Sequence, residues 1–459
     1  MGSTKAGAPD ARQGAAGVPK GIDRAGPGDL MTLVSDRGPV PMNIAAALLL
    51  DRGADLDLGA LEAALGARIA AVPRLRQRLV ATPLGCGRPV WLDDPRFELA
   101  RHLSAVELAA PGTWASLLGA AVSATCTRLD PGRPLWAARL ITGLEGGRAA
   151  LVIVLHHALA DGIGGLAVLA ALADPSTGGG APEFPAPPPS RVALALDALR
   201  CRQDDLARVR AAIGAWAGGM RQLGLGDRLP VLAPATSLNA PTGSRRRLST
   251  AQLPLAGVVA AAHRDRCTVN DLVLAAVTGS LVSVLARRGE SPPALVVSAP
   301  VSIRRAASAV DLGNQTGVVL QRIPAIADRD VRLDRIAALS RTWRAAPRGQ
   351  SAGPLAAAFR LLGAIGLYQV FIDHQRFVNT FVSNIRGPRE LIEVFGHRVL
   401  SIIPVAVVPG NVGVAFEVLS YAGQLVVTVV ADPALVPDQD FLTHALHTEL
   451  HLLVTGKGH

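Results

Sequence analysis

Residues 44–50 read IAAALLL, an apolar run of strand length. Behind it, over 56–72, Leu58, Leu61, Leu65, Ile69 and Val72 recur at three- and four-residue steps, which predicts a helix with one buried stripe. Helical spacing returns over 115–127. Residues 135–141 and 149–155 then flank Gly146-Gly147 as the arms of a hairpin. The second arm is apolar throughout, so both of its faces are expected to be covered, as inside an α/β layer. A short helix is predicted over 162–173. Between the first helix and the hairpin, Arg74, Arg76 and Arg78 alternate with other residues, which reads as a solvated strand edge leading to a strand over 88–92.

Residues 175–190 read PSTGGGAPEFPAPPPS, a stretch that cannot sustain regular structure and predicts a semi-extended spacer. An arginine-rich helix over 192–219 and a loop over 229–240 follow. A second α/β pattern begins near Arg245, with helices over 255–264 and 269–287 and strands over 294–299, 314–322, 378–383, 412–420 and 425–431. A helix over 438–453 closes it. With no short-period repeat or heptad series, the expected organisation is a loose arm (1–22), a first α/β lobe (23–174), a linker and crossover with a helical segment (175–240) and a second lobe (241–455). The junction of the lobes is the natural place for a ligand.

Composition agrees with this picture: 459 residues suffice for two packed domains, and 49% apolar against 18% charged excludes a disordered regulator. Charge adds one feature. Of the formal +10, the excess lies in residues 151–350, with 23 basic and 14 acidic side chains, a field that suits an anionic partner. No nucleic-acid recognition motif or stacking platform accompanies it, so no nucleic-acid partner is expected. Cys86, Cys126, Cys201 and Cys267 stand far apart and read as free thiols. The first residues lack an apolar targeting core, so secretion is not expected. No stretch is expected to span a membrane: 40–50 is too short, 355–372 contains Arg360, and 399–415 is broken by proline and glycine. Surface association remains open, since it needs only one apolar patch beside basic residues.

Candidate chemistry concentrates where the second hairpin arm ends, at His156-His157-Ala158-Leu159-Ala160-Asp161-Gly162. A neutral imidazole can take a proton from a hydroxyl near pH 7, and a carboxylate four residues later can hold the turn. Adjacent strand residues point to opposite faces, so only one histidine is expected to meet a substrate, and satisfied polar residues at a strand end remain the plain reading. His444, His447 and His451 share roughly one helix face and read as solvated; no metal is expected.

HHALADG matches the HHxxxDG signature of the chloramphenicol acetyltransferase-like superfamily, and the chain resembles its bacterial wax ester synthase/diacylglycerol acyltransferase family. Pro134-Leu135-Trp136 resembles that family's PLW segment, 73–79 its arginine-bearing segment and Asn270-Asp271 its ND segment. Leu312-Gly313-Asn314-Gln315 is similar to its LGN segment and Ser383-Asn384-Ile385-Arg386-Gly387-Pro388 to SNVPGP with two substitutions, while 239–243 with Arg245, Arg246 and Arg247 resembles an NxPxG-then-arginine passage. These segments keep family order over about 29–453.

The resemblance implies two chloramphenicol acetyltransferase-like lobes, each a mixed sheet with flanking helices, around an interlobe channel. It also implies transfer of a long-chain acyl group from acyl-CoA, a co-substrate and not a bound cofactor, to diacylglycerol or a long-chain alcohol. His157 would be the base, acting without an acyl-enzyme, with His156 as an orienting neighbour. Asp161 would be structural, paired with an arginine, and Gly162 would permit a close turn. Asn270 is the candidate oxyanion donor, with an N-cap role open for Asn270 or Asp271. Pro134, Leu135 and Trp136 would shape the channel or pack the core. Asn314, Asn384, Arg386 and Gly387 would support the second lobe and the substrate entrance, and Arg245, Arg246 and Arg247 would attract CoA phosphates or form an exposed charge run. The implied location is cytoplasmic, at the inner face of the plasma membrane or a lipid-droplet surface. Two alternatives stay open: a condensation-type enzyme with a carrier-bound donor or a polar alcohol or amine acceptor, and a non-catalytic lipid-binding relative.

Overall fold

Among the described residues the apolar runs pair into two six-stranded sheets and one small hairpin. The computed structural model describes residues 21–52, 56–173, 183–207, 214, 232–302, 312–345 and 352–456. The expected arm up to residue 20, the first part of the spacer, and the segments 208–213 and 215–231 of the expected helix and loop lie outside the described residues.

The first sheet is built on β1 (Asn43–Leu50), β4 (Leu103–Glu107), β5 (Trp136–Leu144) and β6 (Arg148–His156), and β2 (Gln77–Val80) pairs with β3 (Val90–Asp93) in the hairpin. The second sheet contains β7 (Arg247–Pro254), β8 (Ala294–Ser302), β9 (Thr316–Pro324), β10 (Thr380–Arg386), β13 (Val414–Tyr421) and β14 (Gln424–Ala431). Both sheets are mixed: β4 runs parallel to β5, and β10 runs parallel to β8 and β13. Two strands from the second half, β11 (Glu393–Val394) and β12 (His397–Ala406), cross to the first sheet, where β12 pairs antiparallel with β1. The spatial division therefore differs from a single cut near residue 241. The apolar stretch 399–415 supplies the edge that closes β1, because Ala47 then has Ile403 on one side and Val152 on the other.

Further differences have physical causes. The predicted 56–72 helix stops at Gly66 and continues as the 3-10 turn Ile69–Ala71, so its stripe is shared by two pieces. Arg74 and Arg76 are not on a solvated edge. They lie in the 3-10 turn Pro73–Arg76, buried, with Arg74 stacked on Trp91 and Arg76 on Phe184, guanidinium over ring. Among the described residues one helix, Val269–Arg287, is long and apolar enough by composition to cross a membrane, contrary to the sequence expectation. It is the buried core helix of the second lobe, where Val273, Val277 and Leu281 pack with Val382, Phe416 and Val418 of the sheet. The lobes are welded: Leu419 and Tyr421 of β13 join the apolar cluster of the first sheet.

Candidate active site

Strand alternation sorts the two histidines. Ile153, Leu155 and His157 face a cavity of about 740 Å³ between the sheets, and His156 points the other way. The cavity has the size of a small-molecule site, ~300–1,000 Å³. One wall comes from β1, β6 and β12, with Ile44, Ala46 and Ile402. The facing wall comes from β8, β9, β10 and β13, with Pro300, Val318, Ile385 and Leu419. The helices Pro27–Ser35, Ala352–Ala364 and Tyr368–His374 contribute Met31, Leu355, Phe359 and Phe371.

His157 follows the last residue of β6, where its backbone N–H donates to the carbonyl of Met42. Burial lowers the basicity of its imidazole below the usual value of 6.5, with Asp161 and its own carbonyl acting in the opposite sense, so the ring is neutral at pH 7. Nδ1 is buried and makes no well-formed hydrogen bond among the described residues. His156 is also buried, but its nitrogens are engaged: Nδ1 accepts the N–H of Ala158 at 3.1 Å, which leaves Nε2–H to donate to Asp36 at 3.4 Å. Burial alone would raise the Asp36 carboxyl. His156, the N–H of Met42 and Arg128 outweigh it and hold Asp36 below 3.8.

Asp161 is buried and knits the turn to the second lobe. One carboxylate oxygen accepts the N–H of Gly164 at 2.8 Å, and the other accepts the N–H of Gln315 at 3.0 Å and the hydroxyl of Thr316 at 3.4 Å. Among the described residues these donors are backbone and hydroxyl groups. The LGN segment docks beside them, since Gly313 donates its N–H to the carbonyl of Leu159. Asn314 is clamped by the first helix: its N–H donates to Asp29 at 2.7 Å and its side-chain amide donates to Thr32 at 2.9 Å. Gly28 permits this approach, because a Cβ there would stand 2.1 Å from the Asn314 carbonyl oxygen. The close contact at Gly162 differs from the expected tight turn. Its missing Cβ leaves room for the end of Ile385 from the opposite lobe.

Other expected site residues lie elsewhere. Asn270 does not line the cavity. Asn384 donates to its side-chain oxygen at 3.2 Å, and Asn384 alternates with the cavity-facing Ser383 and Ile385, so this pair belongs to the other face of β10. That placement lends no support to Asn270 as an oxyanion donor. Asp271 forms a capping box with Thr268 at the start of the core helix. Pro134, Leu135 and Trp136 are core residues and not channel walls: Trp136 stacks on His102 and donates its indole N–H to the carbonyl of Leu75. Arg246 is buried, bonded to the carbonyls of Gly243, Arg245 and Val408 and to Thr242, and paired with Asp432, which removes it from any phosphate. Arg247 pairs with Asp440, and Arg245 is exposed; neither lines the cavity. Arg386 is exposed at the end of β10, and Gly387 allows close contact with the Ser420 carbonyl oxygen.

Three residues escaped the sequence reading. Asp29 and Asp36 belong to the opening segment 29–51, which lacks a strong pattern. Glu417 carried a readable signal, a lone carboxylate inside VAFEVLSY, an otherwise apolar strand with a serine and a tyrosine at its end.

Residues 26–273 match the wax ester synthase/diacylglycerol acyltransferase catalytic domain, and residues 312–454 match the WS/DGAT C-terminal domain. The chain is 33% identical over 426 residues to the "Probable diacylglycerol O-acyltransferase" of Mycobacterium tuberculosis strain H37Rv, spanning 89% of this chain and 90% of that protein. Its fold is similar to the wax ester synthase/diacylglycerol acyltransferase of Marinobacter aquaeolei VT8, with TM-score 0.66, 22% identity and coverage of 94% of this chain and 100% of the other. It is also similar to a variant of the starter condensation domain of rhizomide synthetase, with TM-score 0.60, 16% identity and coverage of 95% and 94%.

Proposed function

The chain belongs to the wax ester synthase/diacylglycerol acyltransferase family, and from that premise we propose that it transfers a long-chain acyl group from acyl-CoA to the hydroxyl of diacylglycerol or of a long-chain alcohol. The observation that carries this reading is a neutral, half-buried His157 facing an apolar cavity between two sheets. A cavity lined by Leu, Ile, Phe and Ala side chains suits an alkyl chain, whose burial contributes ~0.8 kcal/mol per methylene.

In the mechanism this favours, His157 takes the acceptor's hydroxyl proton as the oxygen attacks the thioester carbonyl. The carbon–sulfur bond then breaks, and the imidazolium returns the proton to the departing CoA thiolate. Ester and CoA leave, with no acyl-enzyme in between. Asp161 acts by position, holding the turn against Gln315 and Thr316, and Asp36 orients His156 behind the base. Acyl-CoA is a co-substrate in this scheme, and no metal or other cofactor takes part. We assign the work to the cytoplasmic side, at the surface of a membrane or lipid droplet, where such acceptors concentrate.

Purified protein tests the reading when palmitoyl-CoA is offered with diacylglycerol, hexadecanol or an amine and products are identified by mass. Triacylglycerol or wax ester with matching CoA release is expected. Release with the amine alone would overturn it in favour of condensation-type chemistry.

A further inference from the structure

Among the described residues lining the cavity, Glu417 is the one carboxylate. It sits on β13, where Phe416 and Val418 point into the helix-covered core and Glu417 and Leu419 point into the cavity. It is 7% exposed, and among the described residues no arginine, lysine or histidine offsets its charge. Its neighbour is Ser383, the register partner on parallel β10, which lines the same wall. Burial pushes the carboxyl up to about 8, with the Ser383 hydroxyl pulling the other way, so at neutral pH the group is a carboxylic acid able both to donate and to accept a hydrogen bond.

The position of this pair matters. Two residues along the strands, Ile385 and Leu419 form the next register pair on the same face, and Ile385 is the side chain that meets Gly162 of the histidine turn. Two residues of strand span about 7 Å. Ser383 and Glu417 therefore stand about that far along the strands from the contact beside the histidine turn. A plain alkyl chain laid across them would cover this hydrogen-bonded acid and hydroxyl without offering either a further partner, which forgoes a hydrogen bond the pair could make. A chain carrying an oxygen close to its reacting hydroxyl would satisfy them. In diacylglycerol an ester carbonyl is separated from the free hydroxyl by only a few bonds, whereas a long-chain alcohol has methylenes there.

We propose that Glu417, with Ser383 beside it, forms a polar subsite in the cavity wall that holds an ester carbonyl of the acceptor, so that this enzyme takes diacylglycerol in preference to a plain long-chain alcohol. The assignment rests on the acyl-transfer reading above, whose acceptor it narrows. The acid proton is donated to the ester oxygen, and Ser383 keeps the carboxyl in place.

The test compares the wild type, Glu417→Leu and Glu417→Gln with palmitoyl-CoA and either dioctanoylglycerol or hexadecanol. The ratio of the two kcat/KM values should fall about tenfold in Glu417→Leu, the equivalent of one hydrogen bond. Glu417→Gln, which keeps a donor and an acceptor in the same shape, should retain most of the preference. An unchanged ratio in Glu417→Leu, or equal losses in both variants, overturns the subsite. A shift seen only when the donor is a hydroxyacyl-CoA places the bound oxygen on the donor and overturns the acceptor assignment. Displacement of a fluorescent fatty-chain probe by the two acceptors reads the subsite without turnover. Absence of turnover with every acceptor would thus defeat the acyl-transfer reading alone, while diacylglycerol affinity that is equal in wild type and Glu417→Leu would defeat the subsite alone.

Discussion

Asp161 accepts the backbone N–H of Gln315 at 3.0 Å, which anchors the carboxylate of the histidine turn on a segment 154 residues further along the chain. The same carboxylate accepts the N–H of Gly164, so turn and second lobe are fixed by one buried group. Asp161→Ala leaves those donors without an acceptor and should cost ~1–3 kcal/mol of stability, measured by denaturant unfolding. Asp161→Asn keeps one acceptor oxygen and should cost less. It also removes the charge that raises His157, so the acid limb of the kcat/KM profile should move to lower pH. A limb that moves upward would contradict the geometry.

His157 predicts its own pH profile. Burial holds the imidazole below 6.5, and a base must be neutral to act, so kcat/KM should stay level on acidification through 6.5 and fall only below it. His157→Ala should abolish transfer while unfolding at a similar denaturant concentration. Near-normal turnover in that variant would remove His157 as the base.

Asp36 and His156 make a separate claim about stability. The folded Asp36 carboxyl lies below 3.8, so its contribution is fully present above that value and is lost as pH falls through the folded one. Asp36→Asn should therefore be less stable than wild type at pH 7, and the difference should close in strong acid. Thermal melts across pH 2–7, a range set by the ordinary carboxylate value, would read it.

Glu417 has the opposite sign. Its ordinary value of 4.5 rises to about 8 in the fold, so the native state binds the extra proton and wild-type stability declines, relative to Glu417→Gln, as pH climbs from 4.5 to 8. His157, which shares the cavity, adds the same background slope to both proteins. A constant difference between the two melting curves would mean that Glu417 is charged throughout.

Much of this architecture was legible because apolar runs and helix stripes report burial directly: 269–287 and 255–264 coincide with observed helices. The His157 side of the site was readable from its motif and from strand alternation. What escaped depends on contacts that periodicity does not encode. Nothing local to 397–406 says that it will pair with β1 across the lobe boundary. Arg74 and Arg76 alternate as surface residues do, and the rings of Trp91 and Phe184, with Asp23 paired to Arg74, come from outside that stretch and make their burial tolerable. Arg246 looked like a member of a charge run because its partners, Asp432 and Val408, come from far along the chain.

The clamp between Gly28 and Asn314 offers a test that leaves every titrating group in place. A Cβ at position 28 would fall 2.1 Å from a backbone carbonyl oxygen, which cannot rotate away, so Gly28→Ala must push the first helix off the LGN segment. Overpacking of this kind costs ~1–3 kcal/mol. The displaced helix carries Asp29, which holds the Asn314 N–H, and Asn314 precedes the Gln315 that binds Asp161. Strain should therefore reach the histidine turn through backbone hydrogen bonds. The expected result is a lower kcat with the acid limb of the pH profile unmoved, since the charges around His157 are unchanged. Wild-type kcat together with wild-type stability would show that the helix and the LGN segment move independently, and would break the proposed line of support from Gly28 to Asp161.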